Sequence, residues 1–460
     1  MKPNQRSWPY LAATFVALAL FAASCGQGPV PGANVTVLEG VTLLDGTGAP
    51  AVENAVLLIE GERVRAAGPA GEVEVPAGAR RVNLSGKFII PGLINAHGHV
   101  GGAKGMDTSP SVYTEENVVA QLERYLTYGV TAVMSLGSDQ PLMYELRAKQ
   151  REGNLSGARV YTAGRGMMMK GSYGPAVIAR AVETPADVRE QMKEIAADQP
   201  DATKVWVDDG FGEQTKIRPE LYRAFIEAAH EHGLKAYAHV YYLEDARALV
   251  EAGIDVLAHS IRDREVDDSF VKLAAERGVF LLPTLAREVT TFIYADPPGY
   301  LEDPFLTRHE DAEVVAALGS DDFVKTQRSN PHLAKYKAGL EVAKKNLKKL
   351  HDGGVPIGFA TDSGPAGRIQ GYLEHLELEL MVESGLLPAE AIAAATGGSA
   401  RCMGAENDIG TLVPGRQADF VVLDASPLED IKNSRKIASV WQRGVQVRGA
   451  ILVSLASLGE

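Results

Sequence analysis

Phe88-Ile89-Ile90-Pro91-Gly92-Leu93-Ile94-Asn95-Ala96-His97-Gly98-His99 is an apolar run that closes on two histidines separated by one glycine. Side chains alternate between the faces of a strand, so His97 and His99 project in the same direction, where one metal ion can take both. The run reads as a strand with two imidazoles at its carboxyl end. An isolated pair of this kind also fits two ordinary surface histidines, so the ends of later strands must decide.

Seven further apolar runs follow: Ala132 to Leu136, Arg159 to Ala163, Thr203 to Val207, Lys235 to His239, Val256 to His259, Val279 to Pro283 and Ile357 to Thr361. They alternate with amphipathic helical segments, such as Pro219 to His232 before Gly233 and the one opened by Pro388-Ala389-Glu390. With Ile89 to His97 the pattern predicts an α/β fold, a (β/α)8 TIM barrel, which gathers its chemistry at the carboxyl ends of its strands. The long connection from Leu285 to Leu350 fits either a lid over that mouth or a surface decoration.

Outside this region the pattern changes to short β-type runs broken by turns. Asn34 to Leu38, Ala55 to Ile59, Arg63 to Ala67 and Arg80 to Leu84 lie on one side, and Ala418 to Leu423 and Ile437 to Trp441 on the other. The expectation is a small β-sandwich formed by the N- and C-terminal segments, residues 34–91 and 405–460, flanking a barrel over 92–404.

Polar residues close or interrupt the central strands in order: Lys204, His239, His259 and Asp362 after His97 and His99. A lone strand histidine is usually a hydrogen-bonded core residue. A barrel directs all its strand ends to one mouth, so imidazoles, an amine and a carboxylate in this order predict a metal site. His230, His232 and His351 fall in last helical turns, where a cation complements the helix dipole, and read as structural. His309 and His332 belong to the long connection; His375 lies in a helix near Asp362 and is a weaker candidate for the mouth.

These strand ends, Pro91-Gly92-Leu93-Ile94-Asn95-Ala96-His97-Gly98-His99 and the closing Gly410-Thr411-Leu412-Val413-Pro414-Gly415-Arg416-Gln417-Ala418-Asp419-Phe420 together resemble the amidohydrolase superfamily, in particular its prolidase-like and imidazolonepropionase-related branch. The resemblance implies two divalent ions, expected as Zn2+. His97, His99 and Asp362 would hold the more buried ion and His239 and His259 the second, with Lys204 bridging them as a carbamate. A buried lysine has a lowered pKa, so its neutral amine can capture carbon dioxide; an ion pair from Lys204 to Asp208 or Asp209 is the alternative.

The implied reaction is hydrolysis of a C–N bond (amide, peptide or cyclic amide) by a metal-bridging hydroxide, with Asp362 as general base and then acid. Tyr241 matches a tyrosine that dipeptidases of this branch direct at the substrate, though it also fits packing beside Tyr242. Arg262 is placed to pair a substrate anion unless Asp263 neutralises it. Relatives with peptidase activity carry Gly-Gly-His-Gly where this chain reads Gly171-Ser172-Tyr173-Gly174, so Tyr173 enters the substrate-contact set and dipeptidase activity does not carry over. Two other readings stay open: a mononuclear deaminase, and a catalytically silent, lipid-anchored binding protein.

The first residues add a compartment. Lys2 and Arg6 precede an apolar stretch from Leu11 to Ala23, too short for a membrane helix of about 20 residues, and Ala22-Ala23-Ser24 stands directly before Cys25. Residues 1–24 read as a signal peptide and 25–33 as a tether. Cys25 resembles the acylated cysteine of bacterial lipoproteins, and ordinary signal cleavage is the alternative. The expected location is the bacterial cell envelope, with membrane attachment only through Cys25. The only other cysteine is Cys402, so acylation at Cys25 excludes an intramolecular disulfide. The net charge is −13, or −15 once Lys2 and Arg6 are removed, which argues against nucleic acid as a partner and leaves a small-molecule substrate and a homo-oligomer open.

Overall fold

The computed structural model describes residues 34–296, 299–307, 309–448 and 451–453. The expected signal peptide, Cys25 and the tether lie outside them. The fold is mixed α/β, and the run that opened the sequence is where its two parts meet. Phe88–Pro91 is a strand of the terminal sheet, and Leu93–Gly98 starts the parallel core. The single strand expected over 89–97 divides at Gly92, where any Cβ would run into the side chain of Thr131.

The termini share one nine-stranded sheet. Val35–Leu43 pairs antiparallel with Val52–Glu60, and it pairs parallel first with Arg80–Asn83 and then with Phe88–Pro91. Phe88–Pro91 pairs antiparallel with Phe420–Leu423, which ties the C-terminal strands to the N-terminal ones. The strands expected to form a small β-sandwich are joined by hydrogen bonds in one continuous sheet. The reason lies in Val35–Leu43, whose irregular register at Glu39 and Val41 lets one strand change partners along its length. Gly40 permits this with φ +79°, and a Cβ there would lie 2.6 Å from Ser85 Oγ. Alternating apolar residues bury one face around Leu38, Leu57, Ile89 and Phe420, whose ring stacks on Trp441 at 5.1 Å.

Between the termini, parallel strands form two sheets. Leu93–Gly98, Val130–Ser135 and Arg159–Thr162 make one; Arg180–Val182, Met167–Met169, Thr203–Val207, Ala236–Val240, Val256–Ala258 and Phe280–Leu282 make the other, in that order. The expected strand at Ile357 to Thr361 is not a regular strand, but it lies between the two sheets. Ile357 bridges to Leu281, and the Phe359 carbonyl accepts from Ala96 N. A closed ring of eight strands is therefore not formed in hydrogen bonding. Both sheets and the segment between them nevertheless send residues into one inner core, among them Ile94, Met134, Tyr237 and Ala258 from the strands and Ala360 from the segment.

Helices cover the outer faces, and their ends follow local chemistry. Thr184 caps Pro185–Ala197 in a reciprocal box with Asp187, and Asp267 caps Asp268–Arg277. Pro219–Glu231 ends before Gly233, which takes φ +69°. The long connection is largely helical, including Leu285–Thr290, Asp321–Arg328 and Leu333–Asp352. Among the described residues no helix is long and apolar enough to cross a membrane.

Candidate active site

All six residues expected as ligands line one cavity of about 410 Å³ at the carboxyl ends of the parallel strands. One nitrogen each of His97 and His259 and one carboxylate oxygen of Asp362 lie within 4.8 Å of one another. Asp362 Oδ1 is 2.8 Å from His99 Nε2 and 3.5 Å from His97 Nε2. The His259 ring packs 4.8 Å from His97 and 4.5 Å from His239. His259 and Asp362 hold φ of 81° and 55°, and Thr284, 2.9 Å from His259 Nδ1, holds 50°. Left-handed backbone in such residues is costly and persists where the surroundings over-determine it, as at a functional cluster.

The supports are specific. Ser138 Oγ lies 2.6 Å from His99 Nδ1, and Asp208 Oδ2 lies 2.8 Å from His239 Nε2. The side chain of Lys204 is buried in the strand Thr203–Val207, and among the described residues neither its Nζ nor His97 Nδ1 has a hydrogen-bond partner. The two acids that might have paired Lys204 are engaged elsewhere: Asp208 with His239, Asp209 with Tyr242 and Lys216.

Burial holds His97 and His259 well below the usual imidazole range, and the neighbouring amine and imidazoles add to it. His239 is pushed down to about 4 by burial, which outweighs the opposing pull of Asp208. Burial also lowers Lys204 to about 7, with Asp362 opposing and Arg287 assisting. For Asp362 burial acts upward, but Arg368, His97 and His99 outweigh it and keep the carboxyl ionised. Neutral nitrogen donors around one carboxylate, two of their buried atoms unpaired, are a donor set that fits a divalent ion.

Tyr173 lines the cavity with its ring 5.1 Å from His239. Tyr241 and Arg262 instead line an adjoining recess of about 170 Å³, where Phe211 and Tyr336 also sit. The Arg262 guanidinium lies over the Tyr241 ring at 4.6 Å, donates to the carbonyls of Val240 and Ser260, and stands 3.1 Å from Glu288 Oε2. Its neutralising partner is Glu288, while Asp263 pairs with Arg264. His375 faces away from the mouth, 2.9 Å from both Ser434 Oγ and the Tyr128 carbonyl.

Arg287, Glu288 and Arg368 have no counterpart in the sequence reading. Arg287 Nε is 3.6 Å and Arg368 NH1 2.5 Å from Asp362 Oδ2. They sit in a short helix and a loop, where no periodicity marks them. Asp208 was more legible, because it follows the strand of Lys204 at a spacing of four residues, which keeps one face.

Glu377 fixes the helix that carries Arg287: its carboxylate accepts from the backbone N–H of Leu285 and of Ala286. Burial pushes this carboxyl up to about 8. The folded chain thus retains a proton that the unfolded chain releases near pH 4.3, so this group makes stability fall as the pH rises from about 4.3 to about 8. Glu377→Gln should remove that slope, seen as a flatter dependence of Tm on pH across this window; an unchanged slope would contradict the assignment.

Residues 88–447 match the amidohydrolase family. The ochratoxinase of Aspergillus niger is 26% identical over 91% of this chain and 87% of its own length. The 5-methylthioadenosine/S-adenosylhomocysteine deaminase of Symbiobacterium thermophilum is also 26% identical, over 85% of each chain. A Xaa-Pro dipeptidase crystallised with methionine in its active site shares the fold with a TM-score of 0.72, at 20% identity over 90% of this chain and all of that one. The family match spans most of the chain and includes every strand end described above, and the protein belongs to the amidohydrolase family.

Proposed function

We propose that this amidohydrolase, an enzyme acting on carbon–nitrogen bonds of small molecules, cleaves an amide through a centre of two Zn2+ ions. The observation that carries the reading is the convergence of His97, His99, His239, His259 and Asp362 on one cavity beside Lys204, a buried amine with no partner. His97, His99 and Asp362 would hold one ion, and His239 and His259 the other. Ions bound there would polarise the scissile carbonyl and lower the pKa of water to near neutrality.

Lys204 supplies the bridging ligand in this proposal. Its neutral nitrogen forms a bond to the carbon of carbon dioxide and gives up a proton, which leaves an anionic carbamate where an unpaired ammonium would be costly. Asp362 accepts the proton of the attacking water and delivers it to the leaving nitrogen, a task that needs a carboxylate within hydrogen-bond reach. Tyr173 and Tyr241 border the space left for the substrate, and Arg262 braces Tyr241. The fold in this reading closes as an eight-stranded barrel through 357–361, with the terminal sheet wrapped as a sandwich beside it. Export to the cell envelope and acylation at Cys25 complete the proposal and rest on the sequence alone.

Metal content tests the centre. The wild type should hold two equivalents per chain, and Lys204→Met, which keeps the volume but cannot bridge, at most one, with amide hydrolysis lost. A wild type that binds a single tight equivalent overturns the bridged centre. A screen of dipeptides, N-acyl amino acids, lactams and esters, with Asp362→Asn as the blank, tests the activity itself.

A further inference from the structure

Four histidines line the cavity, and the group behind each ring differs. His99 Nδ1 meets the hydroxyl of Ser138 at 2.6 Å and His259 Nδ1 that of Thr284 at 2.9 Å, while His97 Nδ1 has no hydrogen-bond partner among the described residues. A hydroxyl can donate or accept, so it leaves the tautomer of the ring open. Behind His239 stands a carboxylate instead: Asp208 Oδ2 lies 2.8 Å from Nε2. Burial acts upward on this carboxyl, but the bond to His239, the Arg262 guanidinium and the Gly210 N–H outweigh it and hold the group below the usual carboxylate range. An ionised carboxylate only accepts, so Nε2 carries the hydrogen and Nδ1 is the nitrogen whose lone pair is left for an ion.

The other oxygen of Asp208 shapes a loop. Oδ1 accepts from the backbone N–H of Asp209 at 2.7 Å and of Gly210 at 3.1 Å. The chain then passes through two left-handed residues, Gly210 at φ +58° and Phe211 at φ +67°. Glycine takes this conformation freely, whereas for a bulky side chain it is an outlier that persists only where the surroundings enforce it. Here the enforcing groups come largely from the long connection. The Phe211 ring packs 4.7 Å from His332 and 5.3 Å from Tyr336, at the start of Leu333–Asp352, and His332 Nε2 lies 2.8 Å from Glu213 Oε1. Loop and helix together wall the recess of about 170 Å³ beside the cavity. One carboxylate therefore joins an imidazole of the cavity to the wall of that recess.

We infer that Asp208 is a positioning residue that couples an ion on His239 to closure of the recess: it presents Nδ1 to the ion, and the bound ion in turn fixes the 208–214 loop against residues 332–336. An ion on Nδ1 draws charge from the ring and strengthens the Nε2–H bond to the carboxylate, which then holds the turn more firmly. By linkage the effect runs both ways, so a loop held less firmly gives a weaker ion site. The coupling rests on the metal centre proposed above.

Hydrogen exchange and Zn2+ titration of the full-length protein test it. In the wild type, removal of Zn2+ by a chelator should speed amide exchange across 209–214 and 332–336 by about tenfold or more, with the terminal strand Val52–Glu60 unchanged. In Asp208→Asn the amide oxygen can keep the turn, but the NH2 faces Nε2 and favours the hydrogen on Nδ1, toward the ion. One Zn2+ equivalent should then weaken by about 10–100-fold, and exchange across the two segments should no longer respond to Zn2+. The Tm of the metal-free variant should stay near that of the metal-free wild type, whereas a purely structural Asp208 would lower it and leave Zn2+ affinity alone. Phe211→Gly, which deletes the ring and relieves the backbone, should weaken the same equivalent by about fivefold or more, and it carries the test should the Asn variant fail to fold. Wild-type exchange that ignores Zn2+, or an unchanged Zn2+ affinity in either folded variant, overturns the coupling. A wild type with one tight equivalent that Asp208→Asn weakens would defeat the bridged two-ion centre and leave the coupling standing. Two equivalents that neither variant weakens would do the reverse.

Discussion

Asp362→Asn is expected to lower the turnover of any amide the wild type hydrolyses by about a thousandfold or more, with KM changed far less. Removing a positioned general base alone costs roughly 10²–10⁴ in rate. Here the same carboxylate also contributes the anionic oxygen, 2.8 Å from His99 Nε2, that completes the donor set. Asparagine preserves the volume and one acceptor oxygen but neither accepts a proton nor carries charge. Arg368 keeps access to solvent and Arg287 keeps Glu288, so the variant should remain folded, with a far-ultraviolet circular dichroism spectrum like that of the wild type. Single-turnover measurements separate the chemical step from binding. Retained hydrolysis by the folded variant would refute the proton-transfer role.

The histidines were readable in the sequence because a strand end converts spacing into direction. Thr203–Val207 and Ala236–Val240 lie within a residue of where apolar alternation placed them, so Lys204 and His239 reach the cavity for the reason the alternation gave. The Ile357 to Thr361 run was equally apolar but did not become a regular strand. It sits between two sheets, and its hydrogen bonds alternate between Leu281 on one side and Ala96 on the other. What the sequence could not show was pairing between distant groups. Arg287 and Arg368 matter because they meet at one oxygen, and nothing local in either segment signals that meeting. Arg262 illustrates the converse: its nearness to His259 in sequence suggested an anion receptor, whereas tertiary partners 22 and 26 residues away absorb its donors. In the terminal segments, composition suggested β strands on both sides, and the pairing that joins them, Phe88–Pro91 with Phe420–Leu423, lies between residues more than 300 positions apart.

Glu374→Leu should be among the most damaging single changes to stability. Glu374 is fully buried beneath the cluster, and its Oε1 accepts from Asn95 Nδ2 at 2.7 Å, Thr361 Oγ1 at 2.6 Å and Ser363 Oγ at 2.7 Å, while Oε2 accepts from Gly371 N at 2.6 Å. Leucine fills the volume but accepts nothing: Asn95 Nδ2 keeps Thr361 Oγ1 and Ser363 Oγ keeps Tyr125, while the Thr361 hydroxyl and the Gly371 N–H lose their acceptor. At about 1–3 kcal/mol for each of the two buried donors left unsatisfied, the loss is about 2–6 kcal/mol, a large part of an ordinary stability margin. Glu374→Gln separates packing from acceptance. Its amide oxygen can still serve the three side-chain donors, whereas its NH2 would face the Gly371 N–H, so a cost of about 1–3 kcal/mol is expected. Urea denaturation should rank wild type above Gln and Gln well above Leu, and a Leu variant with the wild-type midpoint would contradict the network. The effect reaches the active site because these donors frame its ligands. Asn95 stands two residues before His97 and accepts from its backbone N–H, and Thr361 and Ser363 flank Asp362. One buried carboxylate thus joins the two segments that present His97 and Asp362 to each other, and metal affinity in Glu374→Gln should fall before global stability is lost.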